Sequence, residues 1–514
     1  MNPIRAAGPR PPCPTWRMLL GGSLLLAAIG AKFWIIGRYA NATPFWDQWD
    51  GEAAAVYVPF FDSTLRFADL LEPHNEHRLL VSRLLGLALT AANGLWDPII
   101  QMMANALIHV GFGLAVIARF HRSLDDDAFA GLAIGLLLIL APPFAAESAL
   151  LGFQTHFYAF LLLGFVAVTA IASRPAFSPG WLAGAAVAFA AFFTLACGAL
   201  VSLAGALVLL ARLALRVTGG YREWLGAALL LAGFAVMVAF IPANPAIGAH
   251  SAADLFDGLL LLTSWPLFVR GLAGAATVNL PALLLAVRIV RRRPAPAADE
   301  WALLGLVAWL GLSMAAIAYG RTDAEAPRYL DIAAASLVVN FLCAARLASG
   351  LGSKIAATGW SVLIMTCLVV FALHLPRELT EYRSMTRLQE ANVRAFLATG
   401  AFPPGAAEQR LALPYPNAGR LAAQLADPRV QRFLPSNLQS AIPSGDGAAG
   451  SPRHDRLGWL RDGLLAASGP VAILGLSGFS VLLLFTPLFG ANPLPALLLA
   501  RTRRRGARTA SSGP

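Results

Sequence analysis

Long apolar stretches, each close to the roughly twenty residues that cross a bilayer as an α-helix, follow one another along most of the chain. They fall at 18–37, 98–118, 128–143, 155–173, 180–196, 198–215, 224–242, 273–290, 300–319, 330–348, 355–375 and 466–489. Polar residues gather between these runs and do not alternate within them, whereas a transmembrane barrel carries short segments of alternating hydrophobicity. The pattern predicts an all-α polytopic membrane protein with about twelve transmembrane helices. Two more apolar segments, 79–93 and 255–269, are short for a crossing and are expected to lie in or near a membrane interface. Two long polar stretches, 38–97 and 376–465, interrupt the series; the second has candidate helices near 378–398 and 417–426. This divides the chain into a transmembrane module (1–375), a cap segment (376–465) and a last helix with a basic tail (466–514). No internal repeat stands out, so a repeat-built transporter gains no support.

Composition agrees. Of 514 residues, 57% are hydrophobic and 13% charged, against about 25% charged in a soluble chain. The net charge of +11 does not point to nucleic acid, because the arginines cluster at the ends of apolar runs: Arg119/Arg122, Arg212/Arg216/Arg222, Arg288/Arg291/Arg292/Arg293 and Arg501/Arg503/Arg504/Arg505. That is the signature of cytoplasmic loops. It puts both termini in the cytoplasm and both long polar stretches outside. Counting 79–93 as a crossing would put Arg212, Arg216 and Arg222 outside, against this rule. The N-terminus, with Arg5, Arg10 and Arg17 before the run Met18–Gly37, resembles a signal peptide. The run continues beyond the cleavage-like Ala28-Ile29-Gly30, and Lys32 can snorkel, so an uncleaved first helix is expected. Four cysteines, Cys13, Cys197, Cys343 and Cys367, have no metal-site or disulfide spacing. There is no P-loop and no GxGxxG before a helix. Chemistry on the outer side would need a donor that arrives through the membrane.

The outer stretch 38–97 is rich in ionisable groups. "PFWDQWDGEA" (44–53) sets Asp47, Asp50 and Glu52 among aromatics, beside a membrane. A solvated loop, an interfacial aromatic belt and a sugar-binding wall all fit it. "LLEPHNEHRLLVSRLL" (70–85) adds Glu72, His74, Glu76, His77, Arg78 and Arg83. A helix with Asn75 as N-cap is expected there. It would carry Asn75, Arg78 and Ser82 on one face, Glu76 and Arg83 on an adjoining stripe, and Leu79, Leu80, Leu84 and Leu87 toward lipid. His74, Glu76 and His77 lack the HExxH spacing of a zinc helix, and His77, Arg78 and Arg83 equally suit a phosphate. Two other outer segments are either solvated turns or walls of the same cavity. They are "PPFAAESALLGFQTHF" (142–157), with Glu147, Gln154 and His156, and "GRTDAEAPRYLD" (320–331), with Arg321, Asp323, Glu325, Arg328, Tyr329 and Asp331. The cap segment has no catalytic signature of its own.

A first helix leading into an acidic outer loop, then an interfacial helix and many spans, resembles the GT-C class of glycosyltransferases, including protein O-mannosyltransferases and aminoarabinose transferases. "DGEA" (50–53) looks like a spaced version of their Asp-Glu pair. "EPHNEHRLL" (72–80) stands where many have a His/Lys-Pro-Pro-Leu stretch, and "APRYLD" (326–331) resembles their Arg-Tyr element. The resemblance covers about the first 370 residues in architecture. It implies transfer of a sugar from a polyprenyl-phosphate donor to a glycan, lipid or protein acceptor, with inversion, at the outer face of a bacterial-type inner or plasma membrane. Asp50 or Asp47 would be the base, with Glu52 completing the acidic set. His77, Arg78, Arg83, Arg328 and Tyr329 would hold the donor phosphate, and His74, Glu76, Glu147, Gln154 and His156 would line the cavity. No cofactor is specified beyond the option of a divalent cation. Two alternatives stand beside it. A non-catalytic glycan or lipid transporter or flippase predicts ionisable residues near helix centres, which are scarce here. A membrane metallohydrolase would use His74 and His77.

Overall fold

A computed structural model describes residues 15–242, 248, 251–321, 323–324, 326–443 and 454–490. Glu325, Cys13 and the arginines of 501–505 lie outside these. The described residues form helices and no strand. Counting helices longer than two turns, α1 is Thr15–Tyr39, α2 Leu80–Asn93, α3 Pro98–Phe120, α4 Asp126–Leu140, α5 Thr155–Ser173, α6 Pro179–Ala191, α7 Ala199–Ala214 and α8 Tyr221–Ala239. Then come α9 Ala252–Ser264, α10 Leu272–Arg292, α11 Asp299–Gly320, α12 Leu330–Leu347, α13 Leu351–Thr399, α14 Ala418–Ala426 and α15 Gly458–Gly490. Ten helices among the described residues are long and apolar enough to cross a membrane, so this is an integral membrane protein. Each of the twelve expected runs is helical, but those at 128–143 and 180–196 form the shorter α4 and α6.

Contacts at the helix ends order the bundle. At one end Arg17 of α1 pairs with Asp126 of α4 (2.5 Å). There, too, Arg119 pairs with Asp299 (2.7 Å) and Arg346 with Glu300 (3.1 Å). Arg212 donates to the carbonyls of Ala172 and Pro296 at this same end. At the other end Arg328 meets Glu147 (3.0 Å) and Asn41 meets Glu390 (2.9 Å). One end is therefore basic, and the other carries the polar segments. The first and last helices lie in backbone contact: a Cβ on Gly30 would run into the backbone nitrogen of Ala472, and one on Gly475 into that of Ala27. Small residues allow this approach, as between helices in membranes generally.

Lys32 (α1), His109 (α3), Tyr158 (α5) and Asp331 (α12) are buried together inside the bundle. The Lys32 ammonium lies 5.7 Å from the Tyr158 ring centre, and His109 stacks on Tyr158 at 4.4 Å. Ionisable groups are thus gathered within the spans, although they are few in any one run of sequence.

Two boundaries differ from expectation. α13 runs unbroken for 49 residues, with Pro376 inside it, so the cap proper begins at Gly400. The expected helix from Asn75 does not form. His74 and His77 exchange backbone hydrogen bonds (2.8 and 3.0 Å) across a tight turn in which Asn75 has φ +52°, a conformation asparagine tolerates better than most residues. Helix α2 starts only at Leu80, with Leu79 buried before it. Its buried face is Ser82, Arg83, Gly86, Thr90 and Asn93, while Leu84 is exposed. Of the four leucines expected toward lipid only Leu84 is exposed: Leu79 packs with Leu151 and Phe153, and Leu80 and Leu87 pack against the core under the cap.

The cap shares one apolar core with the first polar stretch. Phe396, Leu413, Leu421, Leu425, Phe433 and Leu438 pack with Trp49, Val56, Tyr57 and Trp96. Backbone hydrogen bonds from Trp46 to Pro414 (2.7 Å) and from Trp96 to Phe433 (2.8 Å) complete the joint.

Candidate functional site

At the end carrying the polar segments, a cavity of about 1050 Å³ opens between the first polar stretch and the ends of α5, α7, α8, α11 and α12. Its lining has two characters. Asp47, His74, Glu76, His77, Glu147, His156, Arg321, Asp323 and Arg328 form an ionic wall. Leu195, Leu200, Phe234, Val238 and Ile317 form an apolar one, contributed by membrane helices and their ends.

Asp47 is held by the residues just C-terminal to it. Residues Trp49–Tyr57 form a π-helical segment, a form frequent at functional sites. Gln48, buried, accepts from Phe45 N (3.1 Å) and donates to Glu52 (3.0 Å) and Gln101 (3.1 Å). Gln101 donates to the other Glu52 oxygen (2.8 Å). A glycine is needed on each side of this network: a Cβ on Gly86 would fall 2.6 Å from Tyr57 Oη, and one on Gly152 2.5 Å from Gln101 Oε1. Trp46 is fixed at φ +47°, which a bulky side chain seldom adopts. The Asp47 carboxylate ends 3.4 Å from His74 Nε2. Burial pushes Asp47 up, but His74 above all, with the positive charge of Arg328, outweighs it and holds Asp47 below its usual value.

The His74–His77 turn presents a second pair. His77 Nδ1 accepts from Ala196 N (3.1 Å), so the ring proton sits on Nε2, 3.0 Å from Glu76 Oε1. Burial, reinforced by the like charge of His74, lowers His77 to about 4, so it is neutral at physiological pH. Arg321 donates to the same Glu76 oxygen and to Tyr329 Oη (3.0 Å). Arg328 spans Glu147 (3.0 and 3.2 Å) and Asp323 (2.5 Å). Glu147 is raised by burial, against the pull of Arg328. His156 Nδ1 is 3.4 Å from Ser82 Oγ, and Gln154 also lines the cavity.

Of the residues singled out from sequence, Asp47, His74, Glu76, His77, Glu147, Gln154, His156, Arg328 and Tyr329 come together here. Asp50, Glu52, Arg78 and Arg83 are not in the lining. Asp50 faces the cap, accepting from Tyr415 Oη, Arg420 Nη2 (2.8 Å) and Gln424 Nε2 (3.1 Å). Glu52 points into the core. Arg78 donates to the carbonyls of Leu71 (2.8 Å) and Phe240 (3.3 Å). Arg83 donates to those of Asp69, Leu70 and Glu72, so its charge serves the backbone of the loop. Arg321 and Asp323, singled out with the 320–331 segment as candidate cavity walls but given no role of their own, also line it. His74 and His77 each face their own carboxylate, and among the described residues no group of three His, Cys, Asp or Glu side chains is placed to hold a metal ion. No family model, curated protein or solved structure matches the chain.

Proposed function

We propose that the protein is a glycosyltransferase that moves a sugar from a polyprenyl-phosphate donor to a glycan, lipid or protein acceptor, with inversion. In this reading the chain crosses a bacterial-type inner membrane about twelve times, with both termini cytoplasmic, and the cavity opens on the extracytoplasmic face. One observation carries it: a single cavity pairs an ionic wall, containing both carboxylates and guanidinium groups, with an apolar wall made by membrane helices. That suits a ligand with a charged head and a lipid tail. The acceptor hydroxyl attacks the anomeric carbon as the bond from that carbon to the phosphate oxygen breaks, and Asp47 takes the hydroxyl proton. A carboxylate held below its usual range is always ionised but weakly basic. It therefore acts late, once the attacking oxygen has become acidic. Arg328 and Arg321 stabilise the departing phosphate, each loosening a carboxylate partner to do so. Asp50 serves as the fastening of the cap.

The test is transfer from labelled polyprenyl-phosphate sugars in reconstituted vesicles. Asp47→Asn is expected to lower turnover by about 10²–10⁴-fold, the usual worth of a general base, while Asp50→Asn stays within about tenfold of wild type on the same scale. Full activity of Asp47→Asn would sink the mechanism.

A second reading, a non-catalytic glycan or lipid transporter or flippase, draws on the buried set Lys32, His109, Tyr158 and Asp331, since ionisable groups inside spans mark translocation paths. The same vesicles decide: lipid or glycan movement with no covalent product favours it.

A further inference from the structure

Glu76 differs from the other carboxylates around the cavity. Arg328 spans Glu147 and Asp323, and Asp47 faces His74. Glu76 gives both of its protein contacts to one oxygen. Its Oε1 accepts from Arg321 and lies 3.0 Å from His77 Nε2, while its Oε2 is buried with no hydrogen-bond partner in a residue that lines the cavity. A buried carboxylate oxygen without a donor costs more than a typical hydrogen bond contributes, so such groups call for an explanation.

The surroundings keep this oxygen in place. Ala196 N–H fixes the His77 tautomer, the backbone pairing of His74 with His77 fixes the turn, and Tyr329 Oη fixes Arg321. Four separate parts of the chain thus orient one carboxylate, whose free lone pairs can only accept. A phosphate, itself an acceptor, is excluded from that position. A hydroxyl fits it.

Resting on the glycosyltransferase reading, we propose that Glu76 Oε2 is the specificity-determining acceptor for a hydroxyl of the donor sugar, with Arg321 dividing its guanidinium between Glu76 and the donor phosphate. Glu76 then recognises the sugar, and Asp47 performs the proton transfer.

Glu76→Gln is a sharp probe. The Arg321 guanidinium donates to the Oε1 position, so the amide turns its oxygen there and its NH₂ to where Oε2 was. An acceptor becomes a donor with almost no change of shape. Binding of a polyprenyl-phosphate hexose and of the same polyprenyl phosphate without sugar is measured on the full chain in detergent, by ligand-induced shift of the unfolding midpoint. The expected result is that the ratio of the two affinities falls by about tenfold or more in Glu76→Gln, the worth of a hydrogen bond to a charged group. Arg321→Met should weaken both lipids. An unaltered ratio in Glu76→Gln, or an equal drop for both lipids, overturns the assignment and leaves the transferase reading standing. A wild-type protein that binds neither lipid removes both.

Discussion

At the residue scale the most consequential side chain outside the cavity is Glu52. It is buried, and burial raises it from 4.5 to about 7 against the hydrogen bonds of Gln48 and Gln101. The unfolded chain releases this proton near 4.5, and the folded chain keeps it to about 7. Between those values the native state binds a proton that the unfolded state does not, so stability contributed here falls as pH rises and levels off above the upper value. The full loss is about 3 kcal/mol. Glu52→Gln removes the titration. The unfolding midpoint of wild type, relative to the variant, should therefore decline from about pH 5 to about pH 7; parallel curves would show that Glu52 does not titrate there. The acidic loop is visible in sequence, because carboxylates next to an apolar run are rare. Sequence does not separate Asp47 from Asp50, since nothing in "DQWD" announces that a π-helical segment starts at Trp49 and that Asp50 meets the cap. Nor does it reveal the partner of Glu76, which lies 245 residues away at Arg321.

At the scale of elements, the contact of α1 with α15 ties the start of the chain to its end. A side chain at Gly475 has no room against the Ala27 backbone. Gly475→Leu should force the two helices apart at a cost of about 1–3 kcal/mol, typical of overpacking. The readout is a Ser23→Cys/Gly478→Cys pair, positions that already touch, with 2.8 Å between Ser23 Oγ and a Cβ on Gly478. The crosslink should form in wild type and be lost with Gly475→Leu; undiminished crosslinking would contradict close packing. Apolar length is enough to find the helices from sequence, because a bilayer imposes it. It does not say which helices are neighbours, which depends on small residues distributed along both. The His74–His77 turn reads as helix in sequence for a related reason. Its pattern is amphipathic, but tertiary contacts, Ala196 N–H on His77 among them, favour a hairpin-like turn.

At the scale of the molecule, the arginines that close the apolar runs, Arg119, Arg212, Arg288 and Arg346 among them, sit at one end of the bundle and the cavity at the other. If the basic end is cytoplasmic, as the positive-inside rule requires, the cap faces the outside. With the native cysteines replaced, Ser436→Cys in the cap should react with a membrane-impermeant maleimide in intact cells, and Gly219→Cys at the basic end only after permeabilisation. The opposite pattern would remove the setting for a reaction fed by lipid-linked donors.

The uninterrupted α13 has one more consequence. Its 49 residues extend about 73 Å, more than twice the roughly 30 Å of a hydrocarbon core. Lys354 is tied at the basic end and Tyr382 to the Leu150 carbonyl beside the cavity (3.0 Å), so the remaining residues stand about 25 Å clear of that level. The helix thus carries the cap clear of the bilayer, beside the cavity, and a ligand entering from that side would have to pass around it.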